Sequence, residues 1–172
     1  MYNLKLRTFI NRMQIWEITM EIKIKIIKTN KKDFLDLLLL ADEQENMIDK
    51  YLERGELFAL YDNDELKSIC VVTNGRNGIF ELQNLATYEN FQRKGYGKYL
   101  IKHISNYYKD KGTTMIVGTG DVPWTVSFYE DCGFIFSHRL TNYFVEHYDK
   151  PIFEQGIQLK DKVYFKKDLS TL

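Results

Sequence analysis

The sequence predicts one domain of the α/β class, α+β in stricter naming, in which helices cover a mixed sheet. Its 172 residues are 44% apolar and 15% aromatic, which is enough to close one substantial core. Hairpin signals and helical periodicities alternate along the chain, and this mixture predicts antiparallel neighbours joined with helical crossovers. Two prolines and ten glycines leave no linker or internal repeat, so we predict a single domain.

The first nineteen residues stand apart from this domain. We expect residues 1–19 to be a leader or extension and residues 20–172 to form the domain, because isoleucine alternates with charged residues directly after Met20. That alternation predicts a first strand over 21–26. The leader lacks the continuous apolar stretch of a signal peptide. The alternative is that residues 1–19 form a helix or strand that packs on the core or on a neighbouring chain.

After that first strand, the first half of the chain predicts two helices and three strands. Thr29 or Asn30 can cap a helix with an apolar face, and a second apolar periodicity ends before Gly55. Short β-rich runs, separated by Asp, Asn and Gly turns, then predict a meander. Its three strands are expected at 57–61, 66–72 and 79–87.

The second half alternates helices with strands. Apolar residues at helical spacing predict a helix from Gly97 to Lys109, and Pro123 and Gly133 are placed to start and stop another one. The predicted order of elements is therefore β-α-α-β-β-β-α-β-α-β-β. The later strands are expected at 115–118, 134–140 and around 162–167, and the last helix at 124–132.

Charge and composition exclude several classes of function. Basic and acidic residues balance at 24 each, so no net field attracts nucleic acid or an anionic membrane surface. No apolar run reaches the roughly 18 to 20 residues that cross a bilayer. Cys70 and Cys132 are too few for a disulfide framework or a four-thiolate metal site, and no two histidines have metal-ligand spacing. We therefore expect a cytoplasmic protein that uses no metal and binds neither nucleic acid nor membrane.

A glycine-rich segment, residues 92–98, opens the predicted third helix. Glycines at 95 and 97 let a ligand approach the backbone, and the first-turn N–H groups and the helix dipole favour an anion. The spacing fits neither a dinucleotide fingerprint, whose third glycine would fall at Leu100, nor a P-loop. The alternative is that the glycines only shape a loop and the basic residues form a solvated helix face.

Two motifs resemble the Gcn5-related N-acetyltransferase (GNAT) superfamily. Gln92, Gly95 and Gly97 match its pyrophosphate loop, and residues 128–134, which read FYEDCGF, are similar to its second recurrent segment. The resemblance extends from Met20 to about Leu169, because the order of elements is also that of the family. Residues 142–161 further resemble a poorly characterised bacterial branch. The resemblance implies a mostly antiparallel central sheet flanked by helices.

The same resemblance implies acetyl-coenzyme A as co-substrate and direct transfer of its acetyl group to an amine. It implies a small-molecule amine or a protein amino group as acceptor, and it allows a homodimer because members of the superfamily often pair. The residues implied to bind the cofactor are Leu85, Ala86 and Thr87 along the pantetheine arm, and Gln92, Arg93, Lys94, Gly95, Tyr96, Gly97 and Lys98 around the pyrophosphate.

Two residues are candidates for proton transfer. The resemblance places Tyr129 beside the thioester sulfur, where a phenol pKa of about 10 is close enough to a thiol pKa of about 8.5 to donate a proton. Its alternative role is to anchor a helix on the sheet. Glu81, on the strand that leads to the cofactor, is the candidate base, and a solvated strand residue is the alternative.

Other features bear on the assignment. Cys132 is interpreted as a buried packing residue rather than a nucleophile, because free cysteine is usually buried. A cofactor-contacting asparagine of the family is replaced by Val122, and Asp121 beside it carries a charge that could meet a cationic acceptor. Two other classes of function stay open: a coenzyme A-binding module without turnover, and a nucleic-acid or regulatory protein with a basic patch, which net neutrality disfavours.

Overall fold

The computed structural model describes residues 21–171. The expected leader, residues 1–19, and Met20 therefore lie outside the described residues. The described chain forms a seven-stranded sheet with helices packed on both faces, and a separate two-stranded hairpin. This arrangement confirms the predicted mixed sheet covered by helices.

The strands within the described residues are β1 (Ile22–Ile27), β2 (Glu56–Asp62), β3 (Glu65–Asn74), β4 (Ile79–Thr87), β5 (Thr114–Gly120), β6 (Ile135–Leu140), β7 (Phe153–Glu154), β8 (Ile157–Gln158) and β9 (Lys162–Asp168). The large sheet has the spatial order β1-β2-β3-β4-β5-β9-β6. Its neighbouring strands run antiparallel, except that β4 and β5 run parallel. In β1 the isoleucines are partly buried and the lysines exposed, as their alternation predicts.

The helices of the described chain are α1 (Leu35–Leu38), α2 (Glu45–Asp49), α3 (Tyr96–Tyr108), α4 (Pro123–Asp131) and α5 (Tyr143–His147). The first two are short, and a 3₁₀ turn precedes α1. Asn30 stands before that turn with a φ of 53°, but its side chain makes no capping hydrogen bond. Pro123 opens α4, and Gly133 follows its end with a φ of 85°, so both predicted boundary signals are confirmed.

The segment between β6 and β9 contains structure that the sequence did not predict. It holds the single-turn helix α5 and the hairpin of β7 and β8, whose strands have two residues each. Elements this short show no recognisable periodicity, because periodicity needs a window of about 11 residues or more.

Two apolar cores cover the two faces of the sheet. The helix α3 packs on one face through Leu100, Ile101 and Ile104, which are buried together with strand residues such as Leu82. The predicted apolar face of this helix is therefore confirmed. On the opposite face, α1 and α2 form a second core with β2, β3 and Ala86 of β4. The two faces thus carry different layers, and the sheet separates them.

Two further observations concern residues 21–171 only. No helix there combines the length and apolar character needed to span a bilayer. No group of three His, Cys, Asp or Glu side chains there could hold a metal ion. Cys70 and Cys132 are free thiols, of which Cys70 is buried.

Candidate active site

The parallel strands β4 and β5 pair for only part of their length. The pairing runs from Ile79 opposite Thr114 to Leu82 opposite Val117, whereas β4 continues to Thr87 and β5 to Gly120. Beyond Leu82 the two strands separate and leave a wedge-shaped gap, which we call the wedge. Within residues 21–171, the backbone of β4 beside the wedge has no strand partner on that side, so its N–H and C=O groups can pair with an extended ligand.

A bulge and two sets of hydrogen bonds hold β4 against β3 and α1 where it leaves β5. The register of β3 with β4 shifts between Val71 and Val72, so that Gln83 is left out of the pairing. The buried Asn84 donates from Nδ2 to the Leu38 carbonyl and to the Tyr51 hydroxyl, both at 3.0 Å. Ser68 Oγ donates to the Ala86 carbonyl at 2.7 Å, and lies 2.8 Å from the Thr87 hydroxyl.

The start of α3 presents free backbone amides to open space. Arg93 and Gly95 have φ angles of 59° and 91°, and Tyr99 is the first residue whose N–H bonds back, to the Gly95 carbonyl at 2.9 Å. No acceptor within residues 21–171 receives a hydrogen bond from the backbone N–H groups of residues 93–98. A Cβ on Gly95 would meet nothing within 4 Å. This row of donors at a helix N-terminus suits a phosphate group.

The side chains of this segment have different partners. Gln92 Nε2 donates to the Thr87 carbonyl at 3.2 Å and ties the segment to the end of β4. The Tyr96 hydroxyl donates to Asp62 Oδ2 at 2.7 Å. Lys98, which the resemblance implies near the pyrophosphate, pairs with Asp131 at 3.0 Å. Among the described residues, the exposed Arg93 and Lys94 have no carboxylate partner, so they are the cations free to meet a phosphate.

Gly97 lies where three elements converge. A Cβ built there would stand 3.4 Å from Phe128 Cζ of α4 and 3.8 Å from Leu85 Cδ2 of β4. The amide row, the wedge and the helix that carries Tyr129 are therefore close together, as the two sequence motifs predict when their elements are folded into one site. A Cβ at Gly97 would make ordinary van der Waals contact with both side chains, so these distances show that α4 and β4 pack against the start of α3.

Tyr129 points into the core beside this junction. Its side chain is 8% exposed, and its ring contacts Phe128, Phe134 and Phe165 with centroid distances of 5.1, 5.8 and 6.5 Å. Burial raises the pKa of Tyr129, and the nearby Cys132 and Cys70 thiols raise it further. Tyr129 is therefore protonated at neutral pH, but its phenol is a weaker acid than the unshifted one expected from the sequence.

Three other residues, which flank the two ends of α4, also bear on the sequence predictions. Cys132 is half-buried, and burial raises the pKa of its thiol, so the thiolate that a nucleophile requires is disfavoured. Val122 is fully buried, and the adjacent Asp121 pairs with Arg139 at 2.6 Å. The charge of Asp121 is therefore already matched, contrary to the expectation that it stands free for a cationic acceptor.

Glu81 lies one residue before the wedge, on the face of the sheet opposite to α3. Its neighbours Phe80 and Leu82 belong to the α3 core, so the strand alternation directs Glu81 to the other face. Its Oε1 accepts a hydrogen bond from the Tyr164 hydroxyl at 3.2 Å. Gln83, the next polar residue of β4, donates from Nε2 to the Thr73 hydroxyl at 2.9 Å.

The face that carries Glu81 is covered by the segment containing α5. The Tyr148 hydroxyl donates to Asp42 Oδ1 at 3.1 Å, and the Asp149 N–H donates to Gln44 Oε1 at 3.0 Å. These bonds join that segment to the loop between α1 and α2. The part of β4, β5 and β9 that lies beneath this segment and carries Glu81 is called the acceptor recess below.

The acceptor recess contains groups that sequence reasoning did not single out. Lys162 and Tyr164 of β9 point to the same face as Glu81, because the intervening Val163 and the following Phe165 are buried in the α3 core. The alternation of β9 could have revealed that they share a face, but not which strands lie beside it. Glu154 also escaped notice; its Oε1 accepts hydrogen bonds from Trp124 Nε1 at 2.6 Å and Thr125 Oγ1 at 2.7 Å.

Comparison with known proteins gives consistent matches. A family model described as an acetyltransferase (GNAT) domain matches residues 53–136. The "Uncharacterized N-acetyltransferase YvbK" of Bacillus subtilis (strain 168) is 36% identical over 151 residues, which cover 87% of this chain and 97% of that protein. A Bacillus subtilis acetyltransferase solved in complex with CoA is 35% identical with a TM-score of 0.79, over 86% of this chain and 99% of that one. A GNAT family acetyltransferase from Elizabethkingia anophelis with acetyl-CoA bound is 31% identical with a TM-score of 0.81, over 86% and 97%.

Proposed function

Because this chain belongs to the GNAT superfamily and is an acyltransferase, we propose that it transfers an acetyl group from acetyl-CoA directly to a primary amine. The acceptor is a small molecule or a protein amino group. The observation that carries the proposal is the junction at Gly97, where the amide row of α3 meets Leu85 beside the wedge and Phe128, whose ring contacts Tyr129. These are the parts that a thioester cofactor with a diphosphate needs, and they lie side by side.

The backbone of residues 93–98 would hold the pyrophosphate of acetyl-CoA. Six amide donors without a partner among the described residues, the dipole of a 13-residue helix and the exposed Arg93 and Lys94 all favour negative charge there. Gly95 leaves the approach open because no side chain projects from it. Gln92 would keep this loop in register with β4 through its bond to the Thr87 carbonyl.

The free edge of β4 would bind the pantetheine arm. Leu85, Ala86 and Thr87 lie along the wedge, past the last residue that pairs with β5. An extended chain with amide groups can pair with this edge as an additional strand does. A backbone N–H of this stretch directed at the thioester oxygen would stabilise the negative charge that develops there during acyl transfer.

Two side chains would move the protons. Glu81, at the mouth of the wedge on the acceptor face, would take a proton from the acceptor ammonium, directly or through water. Tyr129, on the other side of the junction, would give its proton to the departing thiolate. The two residues lie on opposite faces of the sheet, which supports the assignment of the two proton transfers to different residues. The cofactor supplies the activated acyl group, and the chain supplies binding, orientation and proton transfer.

The proposal is tested with the purified full chain. Calorimetry measures the affinity for acetyl-CoA, and a thiol-release assay measures turnover over a panel of primary amines and lysine-containing peptides. We expect binding, and thiol release that depends on the amine. Binding without release for any amine would contradict acetyl transfer and favour a coenzyme A-binding module. The absence of binding would remove both functions.

The oligomeric state and the cellular location stay predictions. A homodimer is expected from the superfamily, and sedimentation of the purified chain would measure it. A cytoplasmic location is expected from the sequence, and cell fractionation would test it.

A further inference from the structure

The acceptor recess carries charges of both signs on neighbouring strands. Lys162 extends from β9 across β5 at Gly118, where an added Cβ would overlap Lys162 Cε and Tyr164 Cζ. Gly118 is the first residue of β5 beyond its pairing with β4. The missing side chain at Gly118 thus lets the lysine lie across the sheet towards the wedge, on the same face as Glu81.

The ammonium of Lys162 has no ion-pair partner within residues 21–171. Its Nζ lies 4.7 Å from the ring centroid of Tyr143 and 5.1 Å from that of Tyr164. Burial lowers its pKa, and Glu81 and Asp42 act in the opposite direction without coming within 4.0 Å. The two aromatic rings stabilise a cation, but they accept none of its three N–H donors as a carboxylate does.

A neighbouring cation, Arg139, differs from Lys162 in its ion pairing. Arg139 of β6 binds Asp161 at 2.7 Å and Asp121 at 2.6 Å, so its charge is satisfied by two carboxylates. The two carboxylates whose charges act on Lys162 form no salt bridge with it: Asp42 accepts a hydrogen bond from Tyr148, and Glu81 accepts one from Tyr164. A half-buried ammonium without a counter-ion is costly, and an anion that enters the recess would remove that cost.

We propose that the acceptor is a small amine that also carries a carboxylate, of the amino-acid class, and that Lys162 binds this carboxylate. The inference rests on the proposed acetyl transfer. Lys162 and Glu81 stand on β9 and β4 with only β5 between them, so one acceptor can place its carboxylate on the lysine and its amine against the glutamate. A polyamine would instead bring a second ammonium towards Lys162, and like charges at short range repel.

The proposed acetyl transfer accounts for every bond and proton with the groups already named. The acceptor ammonium loses a proton to Glu81, and its neutral nitrogen forms the new C–N bond with the thioester carbonyl carbon. The C–S bond breaks, and the thiolate takes the proton of Tyr129. The amine nitrogen loses its second proton to solvent, solvent returns a proton to Tyr129, and Glu81 releases its proton to solvent. Lys162 keeps its own protons throughout, so its role is to orient the acceptor.

The test compares three acceptors that share one side chain: an amino acid, its primary amide, and the amine that lacks the carboxyl carbon. We expect kcat/KM of the wild-type protein to favour the amino acid by about tenfold to a hundredfold, as one charge-assisted hydrogen bond allows. Wild-type turnover of the amide or the bare amine at an equal or higher kcat/KM overturns the inference. That outcome still demonstrates acetyl transfer, whereas no turnover with any amine defeats the proposed function itself.

Variants on β9 separate binding from folding. Lys162→Met keeps an unbranched side chain across Gly118 but removes the charge, so the preference for the amino acid should fall to near one. Lys162→Arg should retain a preference, because it keeps a cation. Lys166→Met makes the same change at an exposed position of the same strand and should leave the preference unchanged. Equal losses for all three acceptors in Lys162→Met, with the preference retained, would show a structural role only and overturn the inference.

Discussion

Gly95→Ala tests whether the amide row binds the cofactor. Gly95 has a φ of 91° and a Cβ there would meet no atom within 4 Å, so the substitution adds strain without adding a clash. A left-handed backbone costs an alanine about 1 to 2 kcal/mol relative to glycine. For a chain of this length, we expect the melting temperature to fall by roughly 2 to 4 °C per kcal/mol.

The loop can relieve that strain by rotating Gly95 out of its φ, which turns the neighbouring amides away from the ligand. Each hydrogen bond from an amide to a charged phosphate contributes about 1.5 to 3 kcal/mol. The loss of one such bond should therefore raise the dissociation constant for acetyl-CoA about tenfold to a hundredfold. Calorimetry with acetyl-CoA measures this change directly, and differential scanning calorimetry measures the strain.

Gly156→Ala is the matched control. Gly156 lies between β7 and β8, has a φ of 85°, and would also place its Cβ in open space. The two variants should lose similar stability, but only Gly95→Ala should lose affinity for acetyl-CoA. The reasoning is refuted if Gly95→Ala loses stability yet binds acetyl-CoA like the wild type, or if both variants lose affinity equally.

Three further predictions concern single side chains. Tyr129→Phe should leave the dissociation constant for acetyl-CoA nearly unchanged and lower kcat by about 10² or more, the usual range for a proton-transfer group; an unchanged kcat would remove the acid role. Glu81→Gln can still accept the Tyr164 hydrogen bond, but it removes the base. Its kcat should therefore fall at neutral pH and recover at alkaline pH, where the acceptor amine loses its proton to solvent. A uniform loss across pH would contradict a base role. In the wild type, the hydrogen bond to Asp62 raises the pKa of Tyr96 to about 12, and Tyr96→Phe removes this bond. Because the folded-state pKa is raised, the wild type's advantage in free energy of unfolding should be complete below pH 10 and shrink towards pH 12, and a pH-independent difference would contradict this account.

The sequence by itself determined the order of the main elements and the composition of the cofactor segment. The apolar face of α3, the proline and glycine at the ends of α4, and the alternation of β1 depend on residues a few positions apart, so they can be recognised locally. Glycines 95 and 97 at a helix start indicated an anion site for the same reason. The short α5 and the β7–β8 hairpin escaped prediction, because two to five residues carry no period.

The tertiary structure alone decided what surrounds each candidate. The wedge exists because β4 and β5 stop pairing after Leu82 and Val117, and strand pairing joins residues far apart in the chain. The same long-range packing matched Lys98 with Asp131, and it left Lys162 beside two tyrosine rings without an ion-pair partner among the described residues. Whether a charge is neutralised depends on distances of a few ångströms between separate elements, and a linear sequence does not contain those distances.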